Sequence, residues 1–404
     1  MARNNNKRVL IYSHDTFGLG HLRRCRTIAQ SLVGRCKGLS VLILSGSPII
    51  GSFDFRTRVD FVRIPGVIKL RNGEYSSLSL HMDIGEVLKL RASIIRHTAD
   101  VFRPDLFLVD KEPLGLRGEI VDTLELLKER GTPLVLGLRE VLDDPVLLAK
   151  EWERKNALPA LSDLYDAIWV YGLPQICDVL AGIDLPDEVK QKIVYTGYLR
   201  AMLPQERMTS RVTESFDTPY LLITTGGGGG DGDELIDWVL SAYEHDAGIP
   251  NPALLVFGPF MAPRTRERFR ERIENLPSVE AITFDSHVEH LMEGAAGVVA
   301  MGGYNTFCEI LTFDKPALIA PRTKPRMEQY IRASKAQELG LVNMLPSDGP
   351  RPPEVMAQAL RQLPTQNRPS DVVLPGLLDG LDVIHKLTGK MFKTLRKNRV
   401  GLAV

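Results

Sequence analysis

The sequence predicts an α/β fold of two doubly wound, Rossmann-like domains that face each other across a cleft. Two observations lead there. Short apolar runs of strand type alternate with helical periodicity along the chain, as parallel sheets covered by helices on both faces require. Each half also opens on its own strand, Gly-rich turn and amphipathic helix, the arrangement around which open α/β sheets bind ligands. At 404 residues the chain is long enough for two domains of ordinary size.

In the first half the strands read as Val9–Tyr12, Val41–Leu44, Asp60–Ile64, Leu106–Val109, Leu134–Leu138 and Ala167–Val170. Tyr195–Pro219, rich in turn and polar residues, breaks the alternation. A second series follows at Tyr220–Thr224, Ala253–Phe257, Ala281–Phe284, Gly297–Ala300 and Ala317–Ala320. The expected division is residues 1–202 for a first Rossmann-like domain and 203–370 for a second. Residues 371–404 then form a closing helix and basic tail that packs back toward the first domain.

Composition narrows the class. Fifty basic residues balance fifty acidic ones, which argues against nucleic acid as a partner, since such binders carry a basic excess. The apolar runs are too short to span a bilayer, and "MARNNNKRV" leads straight into a strand without a signal peptide. Four scattered cysteines contain no CxxC pair, so neither a thiolate zinc site nor a disulfide framework is expected. The expectation is a cytoplasmic protein whose basic tail "KMFKTLRKNRV" is either solvated or in peripheral contact with anionic lipid at the inner membrane face.

The first turn, "HDTFGLGHLRRCRTIAQSL", places Gly18, Gly20 and His21 between a strand and a helix whose apolar positions Leu22, Cys25, Ile28, Ala29 and Leu32 recur at helical spacing. His21 reads either as a bystander in a tight turn or as a general base, for which the imidazole pKa is suited. A base needs an orienting carboxylate at a neighbouring strand end. Asp110, just past Leu106–Val109, is best placed; Arg139 and Asp143 follow the next strand, and His14 and Asp15 stand at the end of the first. Arg23 and Arg24, adjacent in sequence, cannot share a helix face, so one is expected to meet phosphate and the other solvent.

"TTGGGGGDGDELIDWVL" is the most specific local signal. Each glycine costs about 0.5–1 kcal/mol relative to alanine, and a plain turn needs one or two. Gly226, Gly227, Gly228, Gly229 and Gly230 together suit close approach of backbone N–H groups to a phosphate at a helix entrance. No GK[ST] follows, and the first turn lacks the third glycine and ribose-binding acid of a dinucleotide site. Hydride chemistry is therefore disfavoured.

In "MGGYNTFCEIL", Gly302 and Gly303 make a turn before a helix. Thr306 and Glu309 fit a capping box; alternatively the Glu309 carboxylate accepts both hydroxyls of a ribose. A later turn, "APRTKPRMEQY", brings Glu328 and Gln329 to another helix entrance, where short polar groups can read sugar hydroxyls.

These three segments, most of Tyr220–Met344, resemble the donor-binding half of GT-B glycosyltransferases. They are similar to the N-acetylglucosaminyltransferase family of peptidoglycan lipid-precursor synthesis. "GLGHLRRCRTIAQSL" is similar to that family's acceptor-side turn and looks even more like the turn of nucleotide-sugar hydrolases of the pseudaminic-acid pathway. The resemblance implies that Gly227 to Gly229 cradle a diphosphate, that Glu309 binds ribose, and that backbone at His287 and Val288 recognises the base, usually uracil. It also implies that Gln329 contacts the donor sugar and that His21 is catalytic. Thr306 joins the phosphate set, and Gly303 and Glu328 the sugar set; Gly18, Gly20, Arg139 and Asp143 belong to the acceptor side. Arg326-Met327-Glu328-Gln329 departs from the family's Asp-Arg-Gln-Gln, which leaves the donor sugar open.

The expected activity is metal-independent transfer from a nucleoside-diphosphate sugar, of the UDP class, to a saccharide, lipid-linked saccharide or small molecule. The nucleotide sugar is a co-substrate, and neither cofactor nor metal is expected. Water as acceptor would make the chain a hydrolase, and an idle site would make it a binding protein. Ile64–His97 carries enough polar and aromatic residues to line an acceptor groove, which favours transfer.

Overall fold

The computed structural model describes residues 6–15, 19–70, 74–202, 216, 218–225, 231–285, 288–346 and 348–401. The candidates Gly18, Gly226, Gly227, Gly228, Gly229, Gly230 and His287 lie outside the described residues. By its internal contacts the chain divides into one unit of Met1–Leu199 with Gly376–Val404 and a second of Arg200–Pro375. The crossings thus fall at 199/200 and 375/376, against the expected 202/203 and 370/371.

Unit 1 contains β1 (Lys7–Ser13), β2 (Leu39–Ser45), β3 (Val59–Arg63), β4 (Val67–Lys69), β5 (Tyr75–Ser77), β6 (Leu106–Asp110), β7 (Leu134–Arg139), β8 (Ala167–Tyr171) and β9 (Ile193–Tyr195). Its helices are α1 (Gly20–Arg35), α2 (Ile84–Phe102), α3 (Val121–Glu129), α4 (Pro145–Arg154), α5 (Ala157–Asp163) and α6 (Asp187–Lys190). Seven strands form one parallel sheet in the order β3-β2-β1-β6-β7-β8-β9. The inner strands β6 and β8 are buried throughout, which is why they read as unbroken apolar runs rather than alternating ones. Local chemistry sets the helix starts: Asp83 accepts from Gly85 N at α2, and Asp144 accepts from Val146 N and Leu147 N at α4, with Pro145 in its first turn. In this sheet β1 pairs with both β2 and β6, so the strand order reverses between β1 and β6. That switch point opens a crevice at their C-terminal ends, where residues 13–15 and 110–112 emerge.

Unit 2 contains β10 (Leu221–Thr224), β11 (Ala253–Val256), β12 (Val279–Ile282), β13 (Gly297–Ala300), β14 (Ala317–Ile319) and β15 (Asn343–Met344). Its helices are α7 (Asp233–His245), α8 (Pro263–Ile273), α9 (Val288–Gly294), α10 (Tyr304–Thr312), α11 (Glu328–Glu338) and α12 (Pro353–Gln362). The parallel sheet runs β12-β11-β10-β13-β14-β15, with its own switch point between β10 and β13. Trp238, Tyr243, Phe257 and Phe269 belong to its buried core.

After unit 2 the chain re-enters unit 1, where Tyr198 N donates to Leu377 O at 2.8 Å. Gly197 has φ +88°, and a Cβ there would meet Gly376 O at 2.2 Å, so only glycine fits this crossing. The last helix, α13 (Gly380–Gly401), is held to α1 by an Arg35–Asp382 ion pair.

The strand expected at Ala281–Phe284 lies two residues earlier, and the β4–β5 hairpin, β9 and β15 were not anticipated. Those elements have two or three residues each, too few for a period of two to show.

Candidate active site

α1 begins at Gly20, after Leu19, without a side-chain cap. Its first turn therefore carries His21 directly above the end of β6. His21 Nδ1 contacts Asp110 Oδ2. Arg24, one turn along the same helix face, donates Nε to Asp110 Oδ1 and NH2 to Oδ2, both at 2.8 Å. Asp110 and Arg24 are 1% and 2% exposed, so this is a desolvated, bidentate pair. Burial alone would raise the Asp110 pKa, yet Arg24 and His21 hold it well below the usual carboxylate range. Burial lowers His21 from 6.5 to about 4, against the raising effect of Asp110. The imidazole is thus neutral near pH 7. Facing a carboxylate, Nδ1 is the nitrogen that carries the proton, and Nε2 is left unprotonated. Arg24 NH2 also lies 3.0 Å from Nδ1.

A second polar chain reaches the same crevice from behind. Buried Arg91 donates Nε and NH2 to Glu119 at 2.6 Å each. Tyr12 donates its hydroxyl to Glu119 Oε1 at 2.6 Å and accepts from Leu116 N at 3.2 Å. His14 Nδ1 lies 3.4 Å from that hydroxyl, and the His14 ring stands edge-on to His21 with centroids 5.8 Å apart. Burial keeps His14 well below its ordinary pKa. Asp15 accepts from Ser45 Oγ at 2.6 Å, and its burial raises its pKa to about 6.

Of the other acceptor-side candidates, Gly20 opens α1. Arg139 ends β7, one strand beyond Asp110, and Asp143 accepts from Asp144 N at 2.9 Å in the loop that follows. Arg24, expected at most to meet phosphate or solvent, is instead the buried partner of Asp110. Its signal was available: positions 21 and 24 share a helix face. Tyr12 and Glu119, 107 residues apart, had none.

In unit 2, Gly302 adopts φ +78° and turns the chain from β13 into α10, where a Cβ would meet Ile319 at 2.8 Å. Gly303 is the N-cap of α10, without a side-chain cap bond. The Thr306–Glu309 capping box is therefore absent. Thr306 is half-buried in the first turn, and Glu309, one turn further, is 4% exposed. Val288 begins α9. Glu328 and Gln329 open α11 and are both buried. Gln329 Oε1 accepts from Arg322 N at 3.1 Å, and the Arg322 side chain bridges Asp231 at 2.9 Å and Glu328 at 3.6 Å. Arg332 donates to Gly302 O at 3.0 Å, pinning the glycine turn to α11. A cavity of about 560 Å³ lies here, lined in part by Asp231, Trp238, Met301 and Arg322. Among the described residues no cluster of three His, Cys, Asp or Glu side chains could hold a metal ion. No described helix is long and apolar enough to cross a membrane.

No protein-family model matches the chain. Among curated proteins it is 25% identical over 406 residues to an "Uncharacterized glycosyltransferase" of Methanosarcina acetivorans, covering 92% of this chain and 96% of that one. A second protein of the same name, from Methanosarcina mazei, is 24% identical with the same coverage. Solved structures share the fold. Medicago truncatula UGT71G1 complexed with UDP-glucose has a TM-score of 0.63 at 14% identity, covering 96% of this chain and 99% of that one. MurG of Acinetobacter baumannii has 0.56 at 12%, covering 95% and 99%. The two parallel α/β sheets are those of the GT-B glycosyltransferase fold.

Proposed function

We propose that this relative of the GT-B glycosyltransferases moves a sugar from a UDP-sugar to an acceptor hydroxyl. The observation that carries the reading is the buried His21–Asp110–Arg24 group at the switch point of unit 1. Asp110 holds the imidazole with its Nδ1 protonated, and Arg24 keeps Asp110 ionised. His21 Nε2 takes the proton from the acceptor hydroxyl as its oxygen bonds to the anomeric carbon. The bond from that carbon to the diphosphate oxygen breaks, and the nucleotide leaves with the electron pair. On the donor side, Gly226 to Gly230 and Thr306 hold the diphosphate, Glu309 the ribose, and backbone at His287 and Val288 the base. Gly303, Glu328 and Gln329 face the sugar. Support for uridine comes from structural neighbours described as complexes with UDP or UDP-glucose. Backbone N–H groups and a helix terminus stabilise the leaving diphosphate without a metal. We place the activity in the cytoplasm, with the tail of α13 suited to anionic lipid.

The experiment is nucleotide release from a panel of nucleotide sugars, with and without cell extract. Extract-dependent release of UDP is the expected result. Equal release in buffer alone would make the chain a hydrolase, and binding without release would make it a nucleotide-sugar sensor.

A further inference from the structure

Unit 1 holds a cavity of about 310 Å³ that nothing above uses. Its size is at the small end of the range for ligand pockets, about 300–1,000 Å³. Three properties define what fits it. First, the walls are largely apolar: Leu114 and Leu116 in the loop after β6, and the Tyr75 ring of the β4–β5 hairpin. That loop is fixed from behind, because Leu116 N donates to the buried Tyr12 hydroxyl. Second, the charges do not cancel. Glu112 is neutralised by Lys155 at 2.8 Å and Lys111 at 3.6 Å, and burial keeps His14 uncharged. Arg117 lies over the Tyr75 ring at 5.4 Å and has no carboxylate partner among the described residues. Third, His14 forms part of the wall and stands 5.8 Å, ring to ring, from His21.

We propose that this cavity is the acceptor site, and that the acceptor is a compact, largely apolar alcohol or phenol carrying an anionic group. The apolar body packs on Leu114, Leu116 and Tyr75, the anion faces Arg117, and the reacting hydroxyl lies past His14 toward His21. Apolar walls cannot satisfy the many hydroxyls of a saccharide, which would be buried without partners. The inference rests on the glycosyl-transfer reading for its name of acceptor, but the site can be tested without a donor.

The test is direct binding to the full chain by calorimetry with three probes: 4-hydroxyphenylacetate, its neutral analogue tyrosol, and maltose. The expected order is 4-hydroxyphenylacetate tighter than tyrosol by about two- to fivefold, the value of one exposed ion pair, with maltose not binding. Arg117→Gln should erase the preference while leaving tyrosol binding in place, and Arg117→Lys should restore part of it. Equal binding of the two phenols, a preference that survives Arg117→Gln, tightest binding of maltose, or no binding of either phenol would overturn the proposal. UDP release from UDP-sugars, measured on the same preparation, reports separately on glycosyl transfer, so the two readings fail independently.

Discussion

Arg24 grips both oxygens of Asp110, Nε on Oδ1 and NH2 on Oδ2, each at 2.8 Å, while His21 contacts the same carboxylate. Three residues that the chain keeps 3 and 86 positions apart thus form one buried unit. Removing Arg24 leaves a desolvated anion unpaired, a loss that typically costs about 3–5 kcal/mol. Arg24→Met should therefore lower the unfolding free energy by about that amount, while Lys89→Met, on the exposed face of α2, should change it by under about 0.5 kcal/mol. Denaturant titration of the two variants checks this. Equal effects would show that the Asp110 pair contributes nothing specific.

His21 also ties stability to pH. Its pKa falls from 6.5 in the unfolded chain to about 4 in the fold because burial penalises the imidazolium. The unfolded state then binds more protons between those values, so this group's contribution is fully present above pH 6.5. It is lost as pH falls from 6.5 toward 4. Unfolding free energies of wild type and His21→Asn should converge or cross as pH is lowered through that window. A constant difference from pH 8 to 4.5 would contradict the neutral, buried imidazole.

Much of this site could be read in the sequence, and the limits have physical causes. Strand, glycine turn and helix at residues 9–32 located His21, and the end of a second apolar run located Asp110, because parallel sheets place functional groups at strand ends. Adjacency to Arg23 hides the role of Arg24, whereas its i, i+3 relation to His21 is what brings both to Asp110. The Tyr12–Glu119–Arg91 chain joins residues that no local period relates. In unit 2 the capping alternative for Glu309 failed on one detail, the start of α10 at Tyr304, which helix periodicity fixes only to within a turn.

With the capping box absent, Glu309 has a sharper test. Glu309→Gln, which keeps the shape but removes the charge, should weaken UDP binding by about 1–3 kcal/mol, the range for hydrogen bonds to charged groups. Calorimetry with UDP measures it. Unchanged affinity would remove Glu309 from the ribose site.

Turnover should survive chelation. If backbone N–H groups neutralise the leaving diphosphate, EDTA followed by desalting leaves UDP release unaltered. Complete loss restored by Mg²⁺ or Mn²⁺ would contradict a metal-free site and direct attention to Asp231 and Asp233 beside the glycine loop.

The measurement that tests the account most directly is UDP release by His21→Ala and His21→Asn, set beside their affinity for UDP. Proton transfer by a positioned side chain is worth about 10²–10⁴-fold. Both variants should lose turnover by about that factor while binding UDP as wild type does, since the proposed donor residues all lie in unit 2. Asparagine keeps a hydrogen bond but cannot accept the proton, so it should fare little better than alanine. Retention of more than about a third of wild-type turnover by both would show that His21 is not the general base.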